Sequence, residues 1–221
     1  MAYLHMNQQF LFLFGIHVEE WISHYGVWVY AIMFLFIFCE TGLVVTPVLP
    51  GDSMIFAAAT LSAREQTVLN VHLIALLMTL AAFSGDVVNY SIGKFLGPKV
   101  YRKNFRIINR ARLDNTRRYF RKHGVRTIVY ARFVPLIRTF APFVAGVSEM
   151  DYKRFMFFNF LGGLSWVCIY AYGGYFLGNI KFVKEHFETT VLIVLVLTLL
   201  PVVYGFLRAQ LKNRKGKRSA R

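Results

Sequence analysis

The stretch VRTIVYARFVPLIRTFAPFVAG, Val125–Gly146, decides the fold. It is apolar enough for a lipid bilayer, yet it carries two permanent cations, Arg132 and Arg138, and two prolines, Pro135 and Pro142. A proline removes an amide donor and restricts the residue before it, which argues against one plain spanning helix. A bend midway would leave two legs of roughly ten residues, each reaching about 15 Å, half the membrane depth. Broken backbone at that depth is tolerated only where protein or a water-filled cavity covers it. The stretch therefore predicts a re-entrant hairpin buried inside a larger helical assembly.

The rest of the chain supplies that assembly. Of 221 residues, 56% are hydrophobic and only 17% charged, and apolar residues come in long blocks such as Val191–Leu200. This is the composition of an integral membrane protein. Apolar segments lie at about 27–62, 70–96, 125–147, 155–178 and 189–207. The second, fourth and fifth are long enough to cross a hydrocarbon core about 30 Å thick. Segment 27–62 shares the oddity of 125–147: a hydrophobic run, then TPVLPGDS, then the small residues AAAT. Pro47, Pro50 and Gly51 make a turn there, and Asp52 or Ser53 is placed to cap a returning helix. The pattern predicts an all-α polytopic fold of two re-entrant hairpins and about three transmembrane helices. Residues 1–26 read as an interfacial amphipathic lead-in, 27–207 as a single membrane domain and 208–221 as a basic tail.

The net charge of +15 is not spread evenly. Eleven Lys or Arg against the single acid Asp114 lie between Lys99 and Arg126, and seven against none between Arg208 and Arg221. Each patch abuts a hydrophobic span, so both read as cytoplasmic flanks under the positive-inside rule, and a nucleic-acid partner is disfavoured. If 125–147 returns to its own side, two crossings separate the patches and both lie in the cytoplasm with the C-terminus. A full crossing would put them on opposite faces. The same count brings hairpin 27–62 in from the outer face, opposite to the second hairpin, which predicts an inverted-topology pair of the kind found in many secondary transporters.

Four ionisable residues then sit in the hairpins: Glu40 and Asp52 in the first, Arg132 and Arg138 in the second. Two arginines at membrane depth oppose insertion by about 5–7 kcal/mol unless compensated. One reading is a pair of Arg–carboxylate clamps between the hairpins. The other is a phosphate site, since two guanidiniums grip a phosphate through several charge-assisted hydrogen bonds. Asp86, with Asn89 and Tyr90 on the same helical face, and Asn159 read first as polar contacts between helices, with a role for Asp86 in proton passage as the alternative. Gly174 and Gly178 form a GxxxG spacing that permits close helix packing. Cys39 and Cys168 lie in apolar runs and read as small buried hydrophobes. The histidines show no metal-ligand spacing, and nothing points to a cofactor.

FCETGLVVTPVLPGDSM, GDVVNYSIGKFLG and ARFVPLIRTFAPFVAGVSEM, followed by FNFLGGLSWV, resemble the motifs of the DedA family of bacterial inner-membrane proteins over about residues 20–180. That family is similar to the VTT-domain proteins of eukaryotic secretory membranes, which scramble lipids. The resemblance implies two opposed re-entrant hairpins, a bacterial inner-membrane location, and recycling of undecaprenyl phosphate across the membrane with proton coupling. It also implies that Glu40 and Asp52 are the family's functional acidic pair and Arg132 and Arg138 its arginine pair. Lys94 stands where many members have Arg, which leaves the charge intact.

Three function classes follow. In a lipid-phosphate transporter, Arg132 and Arg138 bind a polyprenyl phosphate or other anionic lipid headgroup. Glu40 and Asp52 then hold the arginines when the site is empty and take up protons when it loads. An intramembrane enzyme needs a nucleophile with a base, and the hairpins contain no histidine and no GxSxG. A non-transporting scaffold for envelope integrity or division would use the ion pairs for structure alone. The transporter is the leading reading, with the scaffold as the alternative.

Overall fold

The structure, a computed structural model, describes residues 25–43, 51–64, 67–103, 126–133, 135–187, 189–198 and 200. The lead-in 1–24, Pro47 and Pro50, most of the basic stretch and the tail 208–221 lie outside the described residues. Among the described residues every regular element is a helix. A 3-10 turn, Gly26–Trp28, leads into α1, Val29–Gly42. Then come α2, Gly51–Leu61, and α3, Val71–Lys103. Helices α4, Arg126–Ala131, and α5, Pro135–Val147, precede α6, Tyr152–Gly178, and the short α7, Lys181–Glu185. An apolar α8, Thr189–Thr198, is the last described helix.

Two stretches, Val71–Gly97 within α3 and Tyr152–Gly178, are each 27 residues of mostly apolar sequence and long enough to span a bilayer. At 1.5 Å per residue, the 33-residue α3 is about 50 Å long and runs on into the basic stretch. Segment 27–62 is two helices on either side of residues 44–50, and segment 125–147 is broken between Ala131 and Pro135. The longest of these four pieces has 14 residues, about 21 Å, so none reaches across the hydrocarbon alone. Pro135 opens α5, where its missing N–H costs nothing. Pro142 corrects the expectation of a second breaker: α5 runs straight through it. Neighbouring helices re-satisfy a freed backbone group in a membrane bundle, so a proline there need not end a helix.

The contacts fix how the helices run. His72 near the start of α3 hydrogen-bonds Tyr172 near the end of α6 at 3.0 Å, and Tyr90 stacks on Phe155, with ring centroids 4.4 Å apart. Helices α3 and α6 are therefore antiparallel. Tyr30 donates to the Val68 carbonyl at the head of α3, while Gly42 meets Gly85 midway along it, so α1 runs with α3. Asn89 Nδ2 donates to the Thr139 carbonyl and Gly97 lies against Val147, so α5 also runs with α3. Asp52, Phe56 and Thr60 of α2 face Trp166, Gly174 and Gly178, so α2 runs with α6. Val129 of α4 faces Gly162, the eleventh of the 27 residues of α6. The first leg of each pair, α1 or α4, thus packs on the long helix that follows it. The second, α2 or α5, packs on the long helix of the other half.

Water does not drive helices together inside lipid, so close approach of small residues and polar bridges must do it. A Cβ on Gly174 would come 2.6 Å from the Phe56 carbonyl, and one on Gly178 would come 2.6 Å from that of Thr60. Thr60 Oγ1 also donates to the Gly174 carbonyl at 3.1 Å. The GxxxG spacing is a real crossing point. The whole of α2 is buried, and its alanines leave room for the other helices around it. Two apolar clusters result. A large one joins α1, α2, the first half of α3 and the second half of α6. A small one, around Tyr90, Ile128, Ala145 and Phe155, lies toward the other end of α3. The charged residues sit between the two. Cys39 and Cys168 are half-buried free thiols and not fully buried as expected.

Candidate functional site

Glu40 lies two residues before the end of α1, and Asp52 is the second residue of α2. Arg132 follows α4 directly, and Arg138 is the fourth residue of α5. All four charges therefore flank the breaks in the two helix pairs. Two of them suit their helix ends: Asp52 sits in the positive first turn of α2 and Arg132 at the negative end of α4. Asp86, on α3, completes the group. It is the sixteenth of the 27 residues of Val71–Gly97, and Trp166 is the fifteenth of Tyr152–Gly178. The cluster therefore lies at half the height of both long helices. None of Glu40, Asp52, Asp86, Arg132 or Arg138 is more than 6% exposed.

The pairing corrects the expectation that Glu40 and Asp52 serve both arginines. Both converge on Arg138, whose Nη1 donates to Asp52 Oδ1 at 2.6 Å and whose Nη2 donates to Glu40 Oε1. Trp166 closes the group: its Nε1 donates to Asp52 Oδ1 at 2.9 Å, and its ring lies 4.5 Å below the Arg138 guanidinium carbon. Arg138 is thus held by two carboxylates and an aromatic face. Gly51 fits the same spot for steric reasons, because a Cβ there would fall on the Glu40 carboxylate.

Arg132 belongs to a separate group. Its Nη2 donates to Asp86 Oδ2 and, at 2.6 Å, to Asn159 Oδ1. Asp86, read from sequence chiefly as a helix contact, is the counter-ion of an arginine, and Asn159 is a contact between helices as expected. The neighbouring polar residues of α3 bridge helices. Asn89 Nδ2 donates to the carbonyls of Thr41 and Thr139 at 2.9 and 2.8 Å, and the Tyr90 hydroxyl to that of Met150 at 2.5 Å. Trp166 escaped the sequence reading. Its signal was present as Asn159, Gly163, Trp166 and Tyr170, a stripe at helical spacing on α6.

A cavity of about 310 Å³ opens beside this cluster. Asp52, Arg132, Trp166 and Tyr170 line it, together with Phe133 and with Val194, Leu197 and Thr198 of α8. Arg138 does not line it. Buried Arg132 Nη1 and Asp86 Oδ1 have no hydrogen-bond partner among the described residues, nor do Glu40 Oε2 and Arg138 Nε. The site therefore keeps donor and acceptor capacity in reserve at the depth where an unmet polar group costs most.

The VTT domain family model matches residues 49–176, which contain every charged residue of the cluster except Glu40. The chain belongs to the DedA family of VTT-domain membrane proteins. It is 47% identical over 200 residues to Protein DedA of Escherichia coli K12, covering 90% of this chain and 91% of that one. It is 34% identical over 203 residues to an uncharacterized membrane protein of Mycobacterium tuberculosis, covering 90% and 89% of the two chains. To the inner membrane protein YghB of Escherichia coli K12 it is 33% identical over 180 residues, with 81% of each chain covered. No solved structure matches it. With relatives so named, the chain is an inner-membrane protein.

Proposed function

We propose that this protein carries a lipid phosphate, a polyprenyl phosphate such as undecaprenyl phosphate, across the inner membrane with proton coupling. One observation carries the reading: a buried guanidinium, with one nitrogen unpartnered among the described residues, lines a cavity that apolar side chains also line. A phosphate headgroup matches the first and a prenyl chain the second. The helix directions support two opposed re-entrant hairpins. In the first half, α1 descends with α3 to its middle and α2 returns with α6. In the second, α4 and α5 do the same from the other face. On that reading the halves form an inverted repeat, residues 27–207 are one membrane domain, and the basic C-terminus is cytoplasmic. Arg132 and Arg138 supply the positive field for the headgroup, and Glu40 and Asp52 supply the exchangeable protons.

A scaffold role with purely structural ion pairs has one observation in its favour, the multiply held Arg138. Flipping of a labelled polyprenyl phosphate by the purified protein in liposomes, with and without a pH gradient, separates the two. Gradient-dependent flipping above that of empty liposomes supports transport, and its absence with correctly folded protein leaves the scaffold.

A further inference from the structure

The two arginines differ in ways that the transport reading does not use. Arg138 has both of its terminal nitrogens committed to carboxylates, stacks on Trp166 and does not line the cavity. Arg132 lines the cavity, has its Nη2 engaged by Asp86 and Asn159, and has Nη1 without a partner among the described residues. Its guanidinium lies flat on α6, where a Cβ on Gly163 would sit 3.4 Å from Nη2 and 3.7 Å from Nη1. Asp86 is 1% exposed and does not line the cavity, so it stands behind the arginine as seen by an incoming ligand.

From this we infer that Arg132 alone receives the phosphate oxyanion, on its unpartnered nitrogen, and that Asp86 is a resident counter-charge that holds the affinity down so that cargo can leave. This rests on the lipid-phosphate reading and deepens it. A bare guanidinium in a low-dielectric site would bind an anion so strongly that release becomes slow. A carrier needs binding favourable enough to load and weak enough to unload. A fixed carboxylate on the far edge of the same guanidinium meets that need without blocking the near edge. Asn159 shares that edge through a neutral oxygen, so of the two groups on Nη2 only Asp86 brings a charge, while Asp52 on the cavity wall is held by Arg138 and Trp166.

The test uses full-length protein in nanodiscs with farnesyl phosphate, farnesol and inorganic phosphate as probes, reading Kd and apparent melting temperature. Asp86→Asn keeps an oxygen for Arg132 Nη2 but removes the charge. It should bind farnesyl phosphate at least tenfold more tightly than the natural chain, with a larger melting shift on binding. Asn159→Asp adds a second carboxylate to the same nitrogen and should weaken binding at least tenfold. It keeps the shape of the natural side chain and leaves Asp86 in place, so it decides the question even if Asp86→Asn does not fold. Glu40→Gln, which acts on Arg138, should change Kd less than threefold.

Inorganic phosphate following the same order, but more weakly, identifies a lipid headgroup as the ligand. Equal affinity for inorganic and farnesyl phosphate identifies free phosphate, with the role of Asp86 unchanged. Tight binding by the natural chain that neither Asp86→Asn nor Asn159→Asp alters overturns the counter-charge while sparing the transport reading. Farnesyl phosphate held no better than farnesol by the natural chain and by Asp86→Asn overturns both.

Discussion

Arg138→Met tests whether the Glu40–Arg138–Asp52 group holds the two helix pairs together. Arg138 is 4% exposed and bonds to α1 through Glu40 and to α2 through Asp52, while Trp166 of α6 covers its face. Methionine keeps much of the aliphatic volume but leaves two buried carboxylates facing each other with no cation. Removing one partner of a buried pair costs about 3–5 kcal/mol. For a chain of 221 residues, each kcal/mol corresponds to about 2–4 °C, so the apparent melting temperature should fall by about 6–20 °C. The triple variant Arg138→Met, Glu40→Gln, Asp52→Asn should recover most of that fall, because neutral buried groups cost far less than uncompensated ions. The assay is thermal unfolding of the detergent-solubilised protein at one fixed scan rate, since membrane protein unfolding is often irreversible. A single variant that melts within about 2 °C of the natural chain would refute the clamp. A triple variant as unstable as the single would show that the loss came from packing rather than charge.

Other expectations follow from the same contacts. Gly178→Ala places a Cβ against the Thr60 carbonyl and should cost about 1–3 kcal/mol by overpacking; Gly173→Ala, with nothing within 4 Å, should melt like the natural chain. In a background lacking Cys39 and Cys168, single cysteines at Asn115 and Lys215 should be labelled from the cytoplasm and one at Lys184 only from outside. Labelling of Asn115 and Lys215 from opposite faces would remove the re-entrant second pair. Glu40→Gln should still bind lipid phosphate but transport it without response to a proton gradient, and a retained response would take Glu40 out of the coupling.

Hydropathy and proline placement made most of the helices readable, because a bilayer demands long apolar runs and penalises loose backbone wherever it occurs. The break before Pro135 was legible for that reason. Pro142 was not, since its tolerance depends on which helices surround it. All five charged residues were visible as intramembrane ions, but their pairing was not. Which carboxylate meets which arginine depends on how every helix of the bundle is rotated, α3 against α5 among them, and that rotation is set by surface detail. A Cβ on Gly93 would fall on the Phe143 carbonyl and one on Gly146 on that of Tyr90, so only this face of α3 can lie so close to α5. Hydropathy carries no such detail. Trp166 was hidden differently, because aromatic residues are 17% of the chain and a single Trp in an apolar helix draws no attention until its indole N–H needs a partner.

The corrected pairing gives proton coupling a firmer electrostatic footing than two isolated ion pairs would. Two separate pairs are neutral and have no reason to exchange a proton. Among the described residues, three buried carboxylates, Glu40, Asp52 and Asp86, meet two buried guanidiniums, an excess of one negative charge at half the height of the long helices. A single proton on any of the three brings the empty site to neutrality, which a low-dielectric interior strongly favours. On the proposed reading, a phosphate arriving at Arg132 restores a negative excess and calls for a further proton, and its departure releases one. The proton count on that reading therefore follows the cargo through the total charge of the cluster. No carboxylate need touch the headgroup. Glu40, bonded to Arg138 and absent from the cavity wall, can then take part in coupling without taking part in binding.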